Sequence, residues 1–312
     1  MIKAMRSDSA KPAKKQSLRS DLPHILMTMP AVIVTFVFIY LPIFGLLIAF
    51  KDYSPKLGIL GSPWAALSGF GNFAEIFKTP GLPEAIWNTF YINALTLLIN
   101  FPAPLIFALF LNEIRQKMFK RVVQTVSYLP YFLSWIAVTS MVTTLLSQYG
   151  AINDFLKLIG LERTIFLDKG EFFLPTYILV TVWKGIGWNS IIYLSNISGI
   201  SPELYEAARI DGAGRWKSVF HITLPALVPT AMILLIMSVG QIFGSNFELV
   251  YGLQNDISWN TEVISTVVYK FGLMQGKHSM TTALGLLQGV IALILTMGAN
   301  QISQKVSSVS MW

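Results

Sequence analysis

Gly199-Ile-Ser-Pro-Glu-Leu-Tyr-Glu-Ala-Ala-Arg-Ile-Asp-Gly-Ala-Gly-Arg-Trp-Lys-Ser-Val-Phe-His-Ile-Thr-Leu-Pro225 is the stretch from which the rest of the chain can be read. Ser201 followed by Pro202 is a helix start: a side-chain cap, then a residue whose missing N–H costs nothing in the first turn. Glu203 and Glu206 lie near the positive end of that helix. Gly212 is a C-terminal stop. A second short helix is expected from about Gly214 to Phe220, with Leu224-Pro225 bending the chain into the apolar run that follows. The result is a helix–Gly–helix elbow over about 199–220. It exposes small side chains, Ala207 and Ala208, beside charged ones, so another surface can approach closely. The physics leaves two readings open: a plain amphipathic loop, or a docking surface.

The segments on either side of the elbow are apolar. The chain has 312 residues, 54% of them hydrophobic and 12% charged, with a mean hydropathy of +0.58. A soluble protein carries about 25% charge. Six stretches have the roughly 20-residue apolar length that crosses a bilayer as a helix: 24–50, 85–111, 122–146, 172–197, 220–247 and 280–302. The expected fold is therefore an all-α membrane protein of six transmembrane helices over 22–312, preceded by a basic arm at 1–21. The first stretch is too long for a signal-peptide core and lacks a small-residue cleavage site. Pro30, Pro42, Pro102 and Pro104 imply kinked helices whose freed carbonyls are satisfied by neighbours.

Lys and Arg set the orientation. With the N-terminus in the cytoplasm, fourteen of the 23 basic residues fall inside: the arm, the loop from Glu113 to Arg121, the elbow, and Lys305. Eight fall outside, and Lys184 lies within the fourth span. Both termini and the elbow are thus expected in the cytoplasm. The net charge of +7 reads as topology and lipid contact, with no nucleic-acid partner.

The sequence has no Cys and only three widely spaced His, His24, His221 and His278. No thiol chemistry, His-pair metal site or catalytic residue is expected.

The elbow resembles the signature of binding-protein-dependent ABC importer permeases: E-A-A, three residues, G, nine residues, then I-x-L-P. Glu206-Ala207-Ala208, Gly212 and Ile222-Thr223-Leu224-Pro225 match every fixed position. The resemblance implies a type I importer permease fold, with the elbow as a coupling helix docked on an ATP-hydrolysing subunit. Glu206 would make polar contacts there, and Asp211 would belong to the same coupling surface. Ala207, Ala208 and Gly212 would allow close approach, and Leu224 and Pro225 would lead into the fifth span. It also implies two ATP-binding partner subunits holding ATP and magnesium, a second related permease completing a heterodimer, an extracytoplasmic solute-binding protein, and no cofactor in this chain. Asn112-Glu113-Ile114, Tyr128-Leu129-Pro130-Tyr131-Phe132-Leu133-Ser134-Trp135, Trp183-Lys184-Gly185, Gly187-Trp188-Asn189, Glu262 to Tyr269, and Trp312 look like carbohydrate-uptake permeases. They are most similar to the oligosaccharide and polysaccharide (lipoprotein-type) group.

A sugar path needs aromatic faces and hydrogen-bonding side chains. At helical spacing the fifth span offers Ser238, Gln241, Ser245 and Glu248, with Asn246 alongside. The fourth offers Trp183, Asn189, Tyr193 and Asn196, the sixth Thr281, Gly285 and Gln288, and the third Tyr128, Tyr131 and Trp135. The bland alternative is interhelical hydrogen bonding. Lys184 could face the path, snorkel, or pair with Glu248. Gly240 and Gly244 suggest a close-packing face, with the partner permease as one candidate neighbour. The outer mouth is expected from loops 51–84 and 248–279.

Three other classes compete with this reading. An ion-driven secondary transporter would carry intramembrane acids and repeated broken helices, and the spans hold almost no acids. An ABC permease for a non-carbohydrate solute fits the elbow equally well. A membrane enzyme has no nucleophile or carboxylate pair to stand on.

Overall fold

The computed structural model describes residues 18–254, 261–307 and 310. The basic arm, up to residue 17, and Trp312 lie outside the described residues. Among the described residues every regular element is helical, apart from an isolated bridge between Lys51 and Trp64. The chain divides between Leu47 and Ile48 into two units.

In the first unit, α1 (Leu18–Thr35) passes through a wide π turn, Phe36–Tyr40, into a tighter 3-10 stretch, Leu41–Phe50. The winding changes next to Pro42, which has no N–H to offer the preceding turn. Leu22–Phe50 forms one apolar run of 29 residues.

In the second unit, short helices at Gly58–Gly61 and Gly71–Lys78 precede α2 (Leu82–Asn100) and α3 (Pro102–Glu113), which together make the apolar run Leu82–Glu113. Then come α4 (Lys117–Tyr128), a 3-10 turn at Leu129–Phe132, and α5 (Trp135–Leu146). The two halves of this third run, Lys117–Phe132 and Trp135–Leu158, meet at 101°. Next are α6 (Phe173–Ser198), α7 (Pro202–Ile210), α8 (Leu224–Gly240), α9 (Phe247–Leu253) and α10 (His278–Ser307).

Among the described residues four helical runs are long and apolar enough to cross a membrane, and the bent pair counted as one span makes a fifth. They coincide with the expected first, second, fifth, sixth and third stretches. The expected fourth is α6. Its 26 residues reach about 39 Å, more than the hydrocarbon thickness of about 30 Å. Lys184, Asn189 and Asn196 make it less apolar than the others.

Two local expectations are corrected. Leu224-Pro225 does not bend the chain. A π turn at Val219–Thr223 carries the short helix Arg215–Ser218 straight into α8, so Arg215–Gly240 is one 26-residue run. The wide turn absorbs Pro225, which sits in the first turn of α8, where an absent N–H is tolerated. The fifth span also ends at Gly240, earlier than residue 247. Gln241 caps it, and the chain turns through 242–245 before Asn246 caps α9 with its side chain (Oδ1 accepts from Leu249 N–H, 3.0 Å).

The packing centres on α6, which meets α2, α3, α4 and α8. Phe173, Tyr177 and Val180 of α6 join Val138 and Val142 of α5 and Leu249, Val250 and Leu253 of α9 in one buried cluster. Tyr193 and Ile197 join Ala108 and Leu227 in another. A third links Ile76, Leu82 and Ala85 to Met280, Ala283 and Leu284. Glycine sets the closest approaches, as expected where no water drives association. A Cβ on Gly187 would strike the Ser127 carbonyl, and one on Gly240 would sit 2.6 Å from Thr296 Oγ1 of α10. Gly240 thus packs closely on Thr296 of the same chain, and Gly244 lies beyond the helix.

Candidate functional site

The elbow is built from two helix ends solved by local chemistry. Ser201 Oγ accepts from the Glu203 N–H (3.3 Å), starting α7 as its sequence requires. At the other end Gly212 takes φ +75°. Its N–H donates to Arg209 O (3.0 Å), and Ala213 N–H donates to Ala208 O (2.8 Å). That pair of bonds is a Schellman stop, which satisfies the last carbonyls and needs a residue free to adopt the left-handed region. One side-chain bond ties the elbow to the span: Tyr205 OH to Thr223 Oγ1, 2.9 Å, with Thr223 buried.

Glu206, Ala207, Asp211, Gly212 and Pro225 are exposed, and Ala208 and Leu224 are half-buried. Around them lie apolar side chains the sequence reading did not single out. Ile210 is 87% exposed and Trp216 63%, with Leu204 and Phe220 also open. Exposed large apolar groups of this kind mark contact with a protein or with lipid. Their spacing around Gly212 was the available signal.

The residues expected along a path divide into groups. Gln241 and Gln288 come together. Both line an open cleft of about 430 Å³ whose floor is Gly240, Gly244, Gly285 and Gly289. Gln288 Nε2 donates to Phe243 O at 2.9 Å. The Ser245 and Ser265 hydroxyls approach to 3.5 Å, Glu248 is exposed in the first turn of α9, and Asn246 is spent as its cap. Because α8 stops at Gly240, the expected stripe from Ser238 to Glu248 is not one helical face.

Tyr131 and Trp135 lie on either side of the bend in the third run, both beside Lys184. The Tyr131 ring stacks on Trp188 (4.5 Å, 5°), and Lys184 Nζ lies 5.5 Å from the Tyr131 ring and 5.0 Å from that of Trp135. Tyr128 is half-buried one turn earlier. Other residues go elsewhere. Tyr193 is buried in the core beside Ala108 and Leu227. Asn196 Nδ2 donates to Thr230 Oγ1, an interhelical bond. Trp183 faces an apolar groove with Phe107, Val122 and Val126, and Asn189 lines a narrow gap with Asn100 and Thr181.

Lys184 does none of the three things open to it in the sequence. It is 5% exposed, and its Nζ donates to the carbonyls of Pro130 (3.1 Å), Tyr131 (2.7 Å) and Leu133 (2.6 Å).

One bond joins the two segments expected at the outer mouth, and two more tie the second of them to α2. Tyr53 N–H donates to Ser279 Oγ (2.9 Å), Asn88 Nδ2 to Glu262 O (3.1 Å), and Ile264 N–H to Thr89 Oγ1 (2.8 Å). Glu262 pairs with Lys270 and accepts from Thr266 Oγ1 (2.7 Å). Among the described residues no three His, Asp or Glu gather as a metal site.

An all-helical chain with several apolar runs and an exposed, self-capped elbow leading into one of them defines a multi-pass membrane transport component. The chain belongs to the family of binding-protein-dependent transport system inner membrane components, whose model matches residues 100–307. It is 43% identical to the polygalacturonan/rhamnogalacturonan transport system permease protein YteP of Bacillus subtilis (strain 168), over 90% of this chain and 87% of that one. It is 39% identical to Protein LplB of the same organism, over 93% and 91%. Among solved structures it is similar to a chain of a bacterial ABC transporter involved in import of the acidic polysaccharide alginate, with TM-score 0.86 and 37% identity, over 93% of this chain and 98% of that chain. The same similarity (0.86, 36%, covering 94% and 98%) holds for the alginate ABC transporter in complex with its alginate pentasaccharide-bound periplasmic protein. The fold is that of a type I ABC importer permease, and the chain is a permease component of the inner membrane.

Proposed function

We propose that this chain forms one half of the translocation path of an ATP-driven importer for an oligosaccharide or polysaccharide. The exposed elbow at 201–212 carries the ATP-driven part of this reading. It is capped at both ends, small-sided at Ala207 and Ala208, ringed by open apolar groups, and linked through the turn at 211–214 and the Tyr205–Thr223 bond to the run Arg215–Gly240. A push on it is transmitted along the helix that ends at the Gln241 cleft. Support for the cargo comes from the relatives that carry polygalacturonan, rhamnogalacturonan and alginate.

In this reading residues 22–312 form six spans, with the bent pair as the third and α6 as the fourth. Both termini are cytoplasmic, and residues 1–21 are a basic cytoplasmic arm. Of two ATP-binding subunits, which hold ATP and magnesium, one docks at Glu206, Ala207, Ala208, Asp211 and Gly212, and Leu224 and Pro225 pass the motion inward. A second permease completes the path, and a solute-binding protein delivers the sugar to the outer mouth at 51–84 and 248–279. Closure of the ATPases opens the path outward, and hydrolysis resets it: a rigid lever biasing a two-state bundle. Gln241, Ser245, Glu248 and Gln288 meet sugar hydroxyls, and Tyr131 and Trp135 offer ring faces.

Uptake of labelled oligogalacturonate, oligoalginate and a neutral arabino-oligosaccharide by cells carrying the whole transporter tests the cargo. Uptake of at least one, lost when this chain is deleted, supports the reading. Uptake of none, alongside uptake of a non-carbohydrate solute, contradicts it.

A further inference from the structure

Lys184 sits where a helix has been broken. The turn Leu129–Phe132 ends one helix and α5 starts three residues later at 101° to it. A helix end leaves its last carbonyls without intrahelical donors, and away from water such groups must find partners inside the protein. The next helix solves its own start, since Ser134 Oγ accepts from the Ala137 N–H (3.2 Å). The end of the first helix has a weaker local solution. Leu133 N–H reaches Pro130 O at 3.2 Å.

The missing donors come from α6. A lysine ammonium has three N–H groups, and Lys184 points them at three carbonyls, those of Pro130, Tyr131 and Leu133, at 3.1, 2.7 and 2.6 Å. A cation there also suits the negative end of the helix dipole. One turn further along α6, Trp188 supplies a flat face for Tyr131 at 4.5 Å and takes the edge of Phe132 at 5.5 Å. Between them Gly187 lets the Ser127 carbonyl approach so closely that a Cβ would collide with it. Lys184, Gly187 and Trp188 thus make one face of α6 shaped to the break.

We infer that Lys184 is a positioning residue of the transport path: its ammonium caps the broken end of the third span from a neighbouring helix and so fixes the 101° bend that holds Tyr131 and Trp135 in place. Its donors are consumed by backbone, so it does not recognise the cargo. The cap stands on geometry alone. Its effect on uptake rests on the transport reading above, and the two are separable by experiment.

The chain has no native cysteine, so cysteines placed at Thr125 and Thr144, both exposed and on opposite sides of the bend, can carry spin labels in the assembled transporter. The distance between them is measured in the labelled parent and with Lys184→Met and Lys184→Arg, alongside uptake. Lys184→Met is expected to broaden the distance distribution and cut uptake at least ten-fold. Lys184→Arg, which keeps the charge and the donors, is expected to hold the parent distance and to retain uptake within about three-fold. Unchanged distances in Lys184→Met overturn the cap. Equal damage in Lys184→Arg and Lys184→Met overturns the role of the donors. A broadened bend with normal uptake overturns the positioning role while leaving the transport reading intact. If Lys184→Met does not reach the membrane, Lys184→Arg decides: a parent-like distance and uptake support the inference, and a broadened distance overturns it.

Discussion

The elbow at 201–212 and the bend at 129–134 are both places where a helix stops, yet they are stopped in opposite ways. At the elbow the chain satisfies itself: Ser201 begins α7, Gly212 ends it, and both bonds of the Schellman stop come from the next few residues. At the bend the partner is Lys184, more than fifty residues away and on another helix. A locally solved end is a self-contained object that can protrude and be gripped. A remotely solved end fixes one helix relative to another and belongs in the interior. That difference fits a lever on the outside and a fixed corner on the inside of the same machine.

The comparison can be broken first at the elbow's contact face. Glu206→Lys is expected to abolish uptake while the chain still inserts, because the side chain is exposed and reversing its charge leaves the core untouched. Near-parent uptake by that variant, with normal chain levels on a membrane blot, would count against docking there. Next is Gly212→Val. Nothing lies within 4 Å of a Cβ at Gly212, so there is no clash, but φ +75° remains. A left-handed residue other than glycine costs about 1–2 kcal/mol. Uptake is expected to drop ten-fold or more, with Gly212→Asn intermediate because Asn tolerates that region. Equal rates for Val and Asn would say that bulk at the docking face, and not backbone geometry, is what matters.

Smaller effects sharpen the picture. Tyr205→Phe removes one hydrogen bond to the buried Thr223, about 0.5–1.5 kcal/mol net. It is expected to lower uptake two- to five-fold, with ATP hydrolysis retained, since the elbow stays docked but is tied less firmly to α8. A matching fall in hydrolysis would place Tyr205 in docking instead. Ser201→Ala loses a cap worth about 1 kcal/mol in a helix that also starts with Pro202. It is expected to change uptake less than two-fold and mainly to lower the thermal stability of the detergent-solubilised complex by a few degrees. A large loss of uptake would show that the start of α7 matters as much as its end.

The same contrast explains what can be read from the chain. Ser201, Pro202 and Gly212 carry their structural meaning in their neighbours, so the elbow is legible residue by residue. The apolar runs are legible because hydropathy is a property of a window. α6 is found that way too, although Lys184, Asn189 and Asn196 dilute it. The run from 220 to 247 reads as one helix because the polar spacing of Ser238, Gln241, Ser245 and Glu248 keeps a helical period past its real end. The signal for the break is there, since Asn246 two residues before Glu248 is a helix start. Leu224-Pro225 reads as a bend because a proline usually ends a helix, and the π turn before it absorbs the missing N–H. Tyr193 looks like a path residue by spacing, but packing puts it in the core. Lys184 cannot be read at all, because its partners are backbone carbonyls, which every residue has.

The central claim is that the elbow couples ATP hydrolysis to movement of cargo through this chain. The most direct measurement follows both quantities at once in proteoliposomes containing the whole transporter, loaded binding protein and ATP, for the parent and for Glu206→Lys. Uptake that stops when hydrolysis is blocked with vanadate, and that is lost in Glu206→Lys although the chain is inserted, is the result expected here. Uptake that continues in vanadate, or that follows an imposed ion gradient in its place, would contradict it.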